Sequence, residues 1–139
     1  MVGLATIPAT ITDPHRPGPR VPAFSKHQKL RLFTEWRAAE VVTVASAAGD
    51  VDAANADGFL DYVLRKALLG RGLVVDLTGV TFFSTAGHAA LLTLDMRCAT
   101  AGMKWVMVPS RPVNHVIRIC EGALPTADTV QDALELVSD

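Results

Sequence analysis

The sequence predicts an α/β fold, because short apolar runs typical of strands alternate with longer segments of helical periodicity. Two β-rich runs, Leu30–Trp36 and Val41–Ala47, flank a short link at Arg37–Glu40 and predict a hairpin. After this hairpin each strand-like run is followed by a helix-like one. That order requires parallel strands joined by right-handed crossovers, with the helices covering the sheet. The 139 residues are enough for one such domain.

The first part of the chain differs in composition from the rest. Residues 1–23 have few large apolar side chains and carry most of the prolines: Pro8, Pro14, Pro17, Pro19 and Pro22. Proline fixes the backbone φ angle and removes an N–H donor, so this composition predicts an extended or disordered tail. The folded domain is therefore expected to span residues 24–139.

The first helix is expected to begin at Asp52, whose side chain is suited to capping it, and to run to about Leu69. Its apolar residues recur with a 3.6-residue period: Phe59, Leu60, Val63, Leu64, Ala67 and Leu68. Glycines follow at positions 70 and 72, where they commonly end a helix. The run Leu73–Leu77 then predicts a short buried strand, and Thr78 and Gly79 predict a loop after it.

A small-residue cluster, Ser84–Gly87, opens the second helix directly after two phenylalanines. A helix start leaves backbone N–H groups unpaired, and these attract anions and partner side chains. We therefore expect the functional site at this corner. Ser84 is suited to be the N-cap, and phosphorylation of Ser84 or Thr85 is the functional alternative, which would add about two negative charges there.

The second helix, from Thr85 to near Gly102, is apolar on two sides. One stripe consists of Ala89, Leu92, Met96 and Ala99, and the other of Gly87, Leu91, Leu94 and Cys98. We expect the first stripe to face the sheet and the second, including Leu91, to offer a docking face to a partner. Burial of the second stripe by the third helix stays open, as does the formation of a homodimer through it.

The rest of the chain completes the alternation of strands and helices. A strand is predicted at Trp105–Val108, and a helix whose first turn contains Pro112, where the missing N–H costs nothing. A short segment at Leu124–Thr126 leads to a last helix at about Val130–Val137.

Composition narrows the classes of partner. Half of the residues are hydrophobic and 19% are charged, below the roughly 25% typical of soluble domains, which leaves apolar surface for a protein partner. The net charge of -1 gives no case for nucleic acid or an anionic membrane. No apolar run approaches the ~20 residues that span a bilayer, and the first residues lack the order of a secretion signal. We expect a soluble cytoplasmic protein.

Catalytic, cofactor and metal motifs are weak. No glycine-rich phosphate loop occurs, and the spacing of Cys98, Cys120, His88 and His115 fits no metal site, so no cofactor or metal is expected. His88 follows Ser84 by one turn, but no third orienting group is present and an enzyme is not expected. His88 is instead expected at the rim of the helix start. The two cysteines are expected to be free core residues, and a redox pair is the alternative.

Two motifs together resemble the STAS domain, the fold of bacterial anti-sigma factor antagonists. They are GDVDAANA at Gly49–Ala56 and VVDLTGVTFFSTAGHAALL at Val74–Leu92, followed by the strand, helix, short strand and helix that close the chain. The resemblance covers about Leu30 to the C-terminus. It implies a mixed sheet flanked by helices and a role in protein–protein switching. In that family the antagonist binds an anti-sigma factor of ATP-binding kinase fold and frees the sigma factor, and phosphorylation of the antagonist by that kinase reverses the binding.

The family loop usually reads Asp-Ser-Ser-Gly-Leu, with the phosphate on the serine before glycine. The corresponding residues here are Ser84, Thr85, Ala86, Gly87 and His88, so the acceptor position is occupied by Ala86, which has no hydroxyl. The resemblance implies a partner-binding surface at this loop, with Asp52 at its rim. The usual switch is then absent, or it has moved to Thr85, Ser84, the N-terminal tail or the cysteines, or the partner is not of the usual kind. The alternatives are a redox-responsive regulator using Cys98 and Cys120, and a STAS module for non-sigma signalling or for binding a small ligand.

Overall fold

The structure is a computed structural model that describes residues 28–37, 42–120 and 122–138. The described strands are β1 (Arg31–Arg37), β2 (Val42–Val51), β3 (Gly72–Phe83) and β4 (Lys104–Pro109). The described helices are α1 (Ala56–Ala67), α2 (Thr85–Ala101), α3 (Arg111–Ile119) and α4 (Val130–Ser138). The predicted order of elements is confirmed. The predicted tail at residues 1–23 and most of the predicted hairpin link lie outside the described residues.

The four strands form one mixed sheet in the order β1-β2-β3-β4. β1 pairs antiparallel with β2, from Arg31 opposite Ala48 to Arg37 opposite Val42, which confirms the hairpin. The pairs β2–β3 and β3–β4 are parallel, as the crossover helices α1 and α2 require. The predicted segment before α4 contributes a single parallel bridge, between Met107 and Thr126.

Strand β3 extends well beyond the predicted run Leu73–Leu77, so the loop expected at Thr78 and Gly79 is wrong. The Asp76 carboxylate does accept hydrogen bonds from the backbone N and the Oγ1 of Thr78, at 3.0 and 2.7 Å, as in a turn. The pairing with β2 nevertheless resumes at Gly79 after a register shift. Such a bulge absorbs an extra residue without ending the strand. A Cβ at Gly79 would lie 2.9 Å from that of Ala48, so the close approach of the two strands favours glycine.

Alternate residues of the strands face two separate cores. On one face, Leu73, Val75 and Met107 pack with α1, α2 and α3 in the larger core. On the other face, Val74 and Val106 pack against α4 in the smaller one. β4 pairs with β3 only as far as Leu77, so beyond that residue β3 is paired with β2 alone, and α3 packs chiefly against β3.

None of the helices in the described part of the chain combines the length and the apolar character that crossing a membrane requires.

Candidate protein-docking site

Three strand-to-helix corners lie at one end of the sheet. Because β2, β3 and β4 run parallel, their carboxyl ends share one edge, and α1, α2 and α3 begin there after short connections. The backbone N–H of Ser84 donates to the carbonyl of Val51 at 2.9 Å, which ties the start of α2 to the end of β2. Ligands of open α/β sheets commonly bind outside the carboxyl ends of the strands. The predicted site therefore lies at the edge where a binding surface is expected.

The first corner contains Asp52, although not as the helix cap predicted for it. α1 begins three residues later than expected, with Asn55 as N-cap and no side-chain cap bond. The Oδ1 of Asp52 accepts from the N–H groups of Ala54 and Asn55 at 2.9 and 3.1 Å, and so organises the turn before the helix. The Asn55 side chain accepts in return from the Asp52 N–H at 2.9 Å. Asp52 is half-buried and sits at the rim of the edge.

The second corner is the start of α2, and the predicted N-cap role of Ser84 is confirmed. Ser84 has an extended backbone, with φ -92° and ψ 173°, and its side chain accepts from the N–H of Gly87 at 3.4 Å. Its carbonyl accepts from Gly87 and His88. Thr85 is exposed and Ala86 is half-buried. Of the two hydroxyls considered for phosphorylation, that of Thr85 is the more accessible, while the Ser84 oxygen already holds a backbone donor.

Gly87 and His88 lie inside the protein. A Cβ at Gly87 would lie 2.6 Å from the Cε1 of Phe83, so the absence of a side chain lets α2 pack onto that ring. His88 is 5% exposed, and its Nε2 is buried without a hydrogen-bond partner. The expectation that His88 lies at the rim is wrong.

The two apolar stripes of α2 face the opposite way from the prediction. Leu91 and Leu94 are 0% and 1% exposed, whereas Leu92 and Met96 are 40% and 61% exposed. Leu91 therefore has no surface to offer a partner. The periodicity could not decide between two apolar faces, and the contact of Gly87 with Phe83 turns the second stripe inward. We name the exposed stripe the outer row of α2; it consists of Ala89, Leu92, Met96 and Ala99.

Residues 35–133 match the STAS domain. The chain belongs to the STAS domain family. A related sequence is Osmosensory protein A of Mycobacterium tuberculosis, which is 33% identical over 105 residues, or 71% of this chain and 66% of that protein. The match thus spans slightly less than two thirds of the relative's length.

Solved structures share the STAS fold with this chain. An anti-sigma factor antagonist from Mycobacterium paratuberculosis superposes with a TM-score of 0.65 at 23% identity, over 79% of this chain and 95% of that one. A variant of RsbS from Moorella thermoacetica superposes with a TM-score of 0.63 at 16% identity, over 77% of this chain and 94% of that one. These likenesses confirm the predicted fold class.

The cysteines of the STAS domain occupy different environments. Cys98 is buried on the inner side of α2, and Cys120 is half-buried at the end of α3; both are free. Burial, together with the negative charge of Asp95, raises the pKa of the Cys98 thiol to about 11. Since the thiolate is the reactive species, this environment does not favour the redox alternative. Among the described residues, no group of three His, Cys, Asp or Glu side chains could hold a metal ion.

The structure exposes residues next to the candidate docking site that the prediction had placed against the sheet. Leu92 and Met96 are accessible and follow the Ser84 corner along α2. The signal for them was present, since their stripe is as apolar as the buried one. Neither apolar stripe contained a polar residue that would identify it as the exposed one. Asp95, one of the charged residues of α2, did not identify it either, because its carboxylate accepts a hydrogen bond from the Trp105 indole at 2.8 Å.

Proposed function

We propose that this STAS domain acts by binding rather than by catalysis, as an anti-sigma factor antagonist. Its partner is an anti-sigma factor of kinase fold, and the two proteins meet in the cytoplasm. The docking surface consists of the Ser84 corner and the outer row of α2. The exposed outer row, on a helix that begins at the carboxyl edge of a fold shared with an anti-sigma factor antagonist, supports the proposal most strongly.

The chemistry of the outer row suits a protein partner. Leu92 and Met96 are both substantially exposed, although each would be favoured inside a core. Full burial of one such side chain is worth about 1.5–3 kcal/mol. Methionine is flexible and polarisable, so it adapts to the shape of a partner, and it is enriched in the cores of interfaces.

Ala86 sets the proposed mode of regulation. The position that carries phosphate in the family motif has no hydroxyl here, so a partner kinase cannot modify it. We propose that the domain is permanently competent for binding unless Thr85 is used instead. A phosphate on Thr85 would lie at the start of α2, where the helix dipole favours negative charge. It would also place about two charges beside the outer row and oppose docking.

The proposed binding is tested with purified kinase-fold anti-sigma factors of the source organism, each titrated calorimetrically with the full chain. We expect one of them to bind. Met96→Glu places a charge in the outer row and should weaken binding at least ~10-fold, or about 1.4 kcal/mol. Leu69→Glu is the matched control, because Leu69 is an apolar side chain that is 58% exposed just beyond α1 and does not belong to the outer row. No binding by any candidate would contradict the function, and equal losses in both variants would contradict the site.

The proposed loss of the switch is tested with Ala86→Ser. In the presence of ATP and the anti-sigma factor that binds, we expect the intact mass of the original chain to stay constant. The variant regains the hydroxyl and should gain one phosphate, with release from the partner. A phosphate mapped to Thr85 or Ser84 of the original chain would show that the switch has moved, and would contradict permanent competence.

A second candidate function is STAS signalling in an osmotic response without a sigma factor. It is supported by the 33% identity to a protein named Osmosensory protein A. The two functions differ in what deletion of the gene changes. Loss of an antagonist should reduce sigma-dependent transcription after the inducing stimulus. If osmotic shock responses change while transcripts of every alternative sigma factor regulon stay constant, the second function is favoured.

A further inference from the structure

The exposed side of α3 carries a row of basic residues. Arg111, His115 and Arg118 are spaced i, i+4 and i+7, so they share one side of the helix, away from the buried Val113. Ile119 follows and is 66% exposed. α3 contains no acidic residue, and Arg111 lies in its first turn, where the helix dipole disfavours a cation. The position of Arg111 is thus not explained by the stability of α3 itself.

The exposed side of α4 carries the opposite charge at the same spacing. Asp128 lies in the bend before the helix, and Asp132 and Glu135 follow at i+4 and i+7. All three are exposed. Leu136 comes next and is 54% exposed, as Ile119 is after the basic row. α4 contains no basic residue. The two rows are therefore opposite in charge and equal in sequence spacing, and each is followed by an exposed aliphatic residue.

Within one molecule the two rows lie on different faces of the sheet. Val113 anchors α3 in the larger core, whereas Ala133 and Leu134 anchor α4 in the smaller core on the other face. Arg65 and Asp61 form an ion pair within α1, and this pair involves neither row. Each row is therefore available to a second molecule.

We propose that the basic row of α3 docks onto the acidic row of α4 in a second copy of this chain. The two surfaces differ, so the contact is head-to-tail: each bound molecule keeps one free row, and the assembly grows as an open chain or closes as a ring. The net charge of -1 does not keep the copies apart. Exposed ion pairs are individually weak, so the association is reversible and weakens with salt.

The proposal is tested by sedimentation velocity of the full chain, from micromolar to millimolar protein, at low and at high salt. We expect the mean mass to rise with concentration at low salt and to fall when salt is added. Arg111→Glu with Arg118→Glu makes both rows acidic and should abolish the association. Asp132→Lys with Glu135→Lys makes both rows basic and should abolish it too. Arg71→Glu reverses an exposed charge outside both rows and should change nothing.

Mixing the two double variants separates lost complementarity from lost folding. Each has reversed the row that the other retains, so the mixture should associate at low salt although neither variant does so alone. Circular dichroism checks that both keep their helices. A chain that stays monomeric throughout, an association that the reversals leave intact, or a mixture that fails to associate would each overturn the proposal. The result is independent of the proposed function, because no anti-sigma factor is present.

Discussion

Two strand-to-helix corners at the same edge of the sheet share a backbone geometry and differ in the side chain that packs there. Ser84 before α2 has φ -92° and ψ 173°, and Ser110 before α3 has φ -85° and ψ 178°. Each side chain accepts from the N–H three residues on, which belongs to Gly87 in one case and to Val113 in the other. At the first corner the ring of Phe83 occupies the space that a side chain at Gly87 would need. At the second corner Val113 itself is buried.

The difference explains why α2 and α3 present different surfaces. The strand supplies the packing group at the α2 corner, so the helix begins with small residues. Further along, α2 carries apolar residues on both sides. At the α3 corner the helix supplies the packing group, so its inner side is apolar and its outer side basic. We therefore expect the packing of the α2 corner to depend on Phe83 and that of the α3 corner on Val113. Truncation of Phe83 should lower the free energy of unfolding more than truncation of Val113.

Replacement of Phe83 by Ala should have the largest effect on stability. Phe83 is 3% exposed in the larger core, and such truncations cost about 3–5 kcal/mol of the free energy of unfolding. Val113→Ala removes less apolar volume than Phe83→Ala. Because each buried carbon is worth ~0.8 kcal/mol, it should lower the free energy of unfolding by roughly half as much. Urea denaturation of both variants measures the difference. A larger loss at Val113 than at Phe83 would contradict the comparison of the two corners.

Replacement of Gly87 by Ala tests the contact from the other side. Alanine at a helical glycine normally stabilises by about 1 kcal/mol. Here the new Cβ would lie 2.6 Å from the ring of Phe83, so we expect a loss of about 1–3 kcal/mol from overpacking. In a Phe83→Ala background the same change should be neutral or stabilising. Thermal unfolding of the four proteins of this cycle gives the coupling, and additive effects would show that the contact is unimportant.

The comparison also shows which parts of the fold were predictable. α3 could be oriented from its sequence, because Val113 and Val116 mark one side and Arg111 and Arg118 the other. α2 could not, because both of its sides are apolar and the side that packs inward depends on Phe83, a residue outside the helix. Local patterns thus predict an element, while its orientation requires a polar side or knowledge of the contact.

The length of β3 was underestimated for a similar reason. Thr78 and Gly79 have the composition of a turn, and the bond from Thr78 to Asp76 is a turn bond. The strand continues because β2 runs on to Val51 and offers a partner. Of the candidate site, the position of the Ser84 corner was predictable, because a strand followed at once by small residues marks a helix start. The exposed outer row was not, since it follows from the orientation of α2.

Replacement of His88 by Leu should stabilise the α2 corner. His88 is buried and its Nε2 has no hydrogen-bond partner, a condition that costs about 1–3 kcal/mol. Leucine is apolar and removes that cost, so we expect a higher melting temperature. His115→Leu is the control, because His115 is exposed on α3 and its replacement should change the free energy of unfolding by less than about 0.5 kcal/mol. A less stable His88→Leu protein would show that the imidazole has a favourable role.

The comparison of α2 and α3 extends to the reactivity of the cysteine thiol that each helix carries at or near its end. Cys98 lies on the buried side of α2 with a pKa raised to about 11, and Cys120 is half-buried at the end of α3. At neutral pH almost none of the Cys98 thiol is ionised, so we expect it to react with an aromatic disulfide reagent at least ~10-fold more slowly than Cys120. Rates from Cys98→Ala and Cys120→Ala assign the two phases. A disulfide between them under mild oxidant would instead support the redox alternative.

Removal of either serine cap should have the smallest effect on the free energy of unfolding, and the effects at the two corners should be similar. Ser84→Ala and Ser110→Ala each delete a bond to the N–H three residues on, and such caps are worth about 0.5–2 kcal/mol. The donor–acceptor distances are long, 3.4 Å at Ser84 and 3.5 Å at Ser110, so we expect losses near the lower end. The free energies of unfolding of the two variants, measured together in urea, should agree closely. If Ser84→Ala cost much more free energy of unfolding than Ser110→Ala, the two corners would differ in backbone hydrogen bonding as well as in packing. The view that the two serine caps are equivalent, and that only the packing residue differs, would then be wrong.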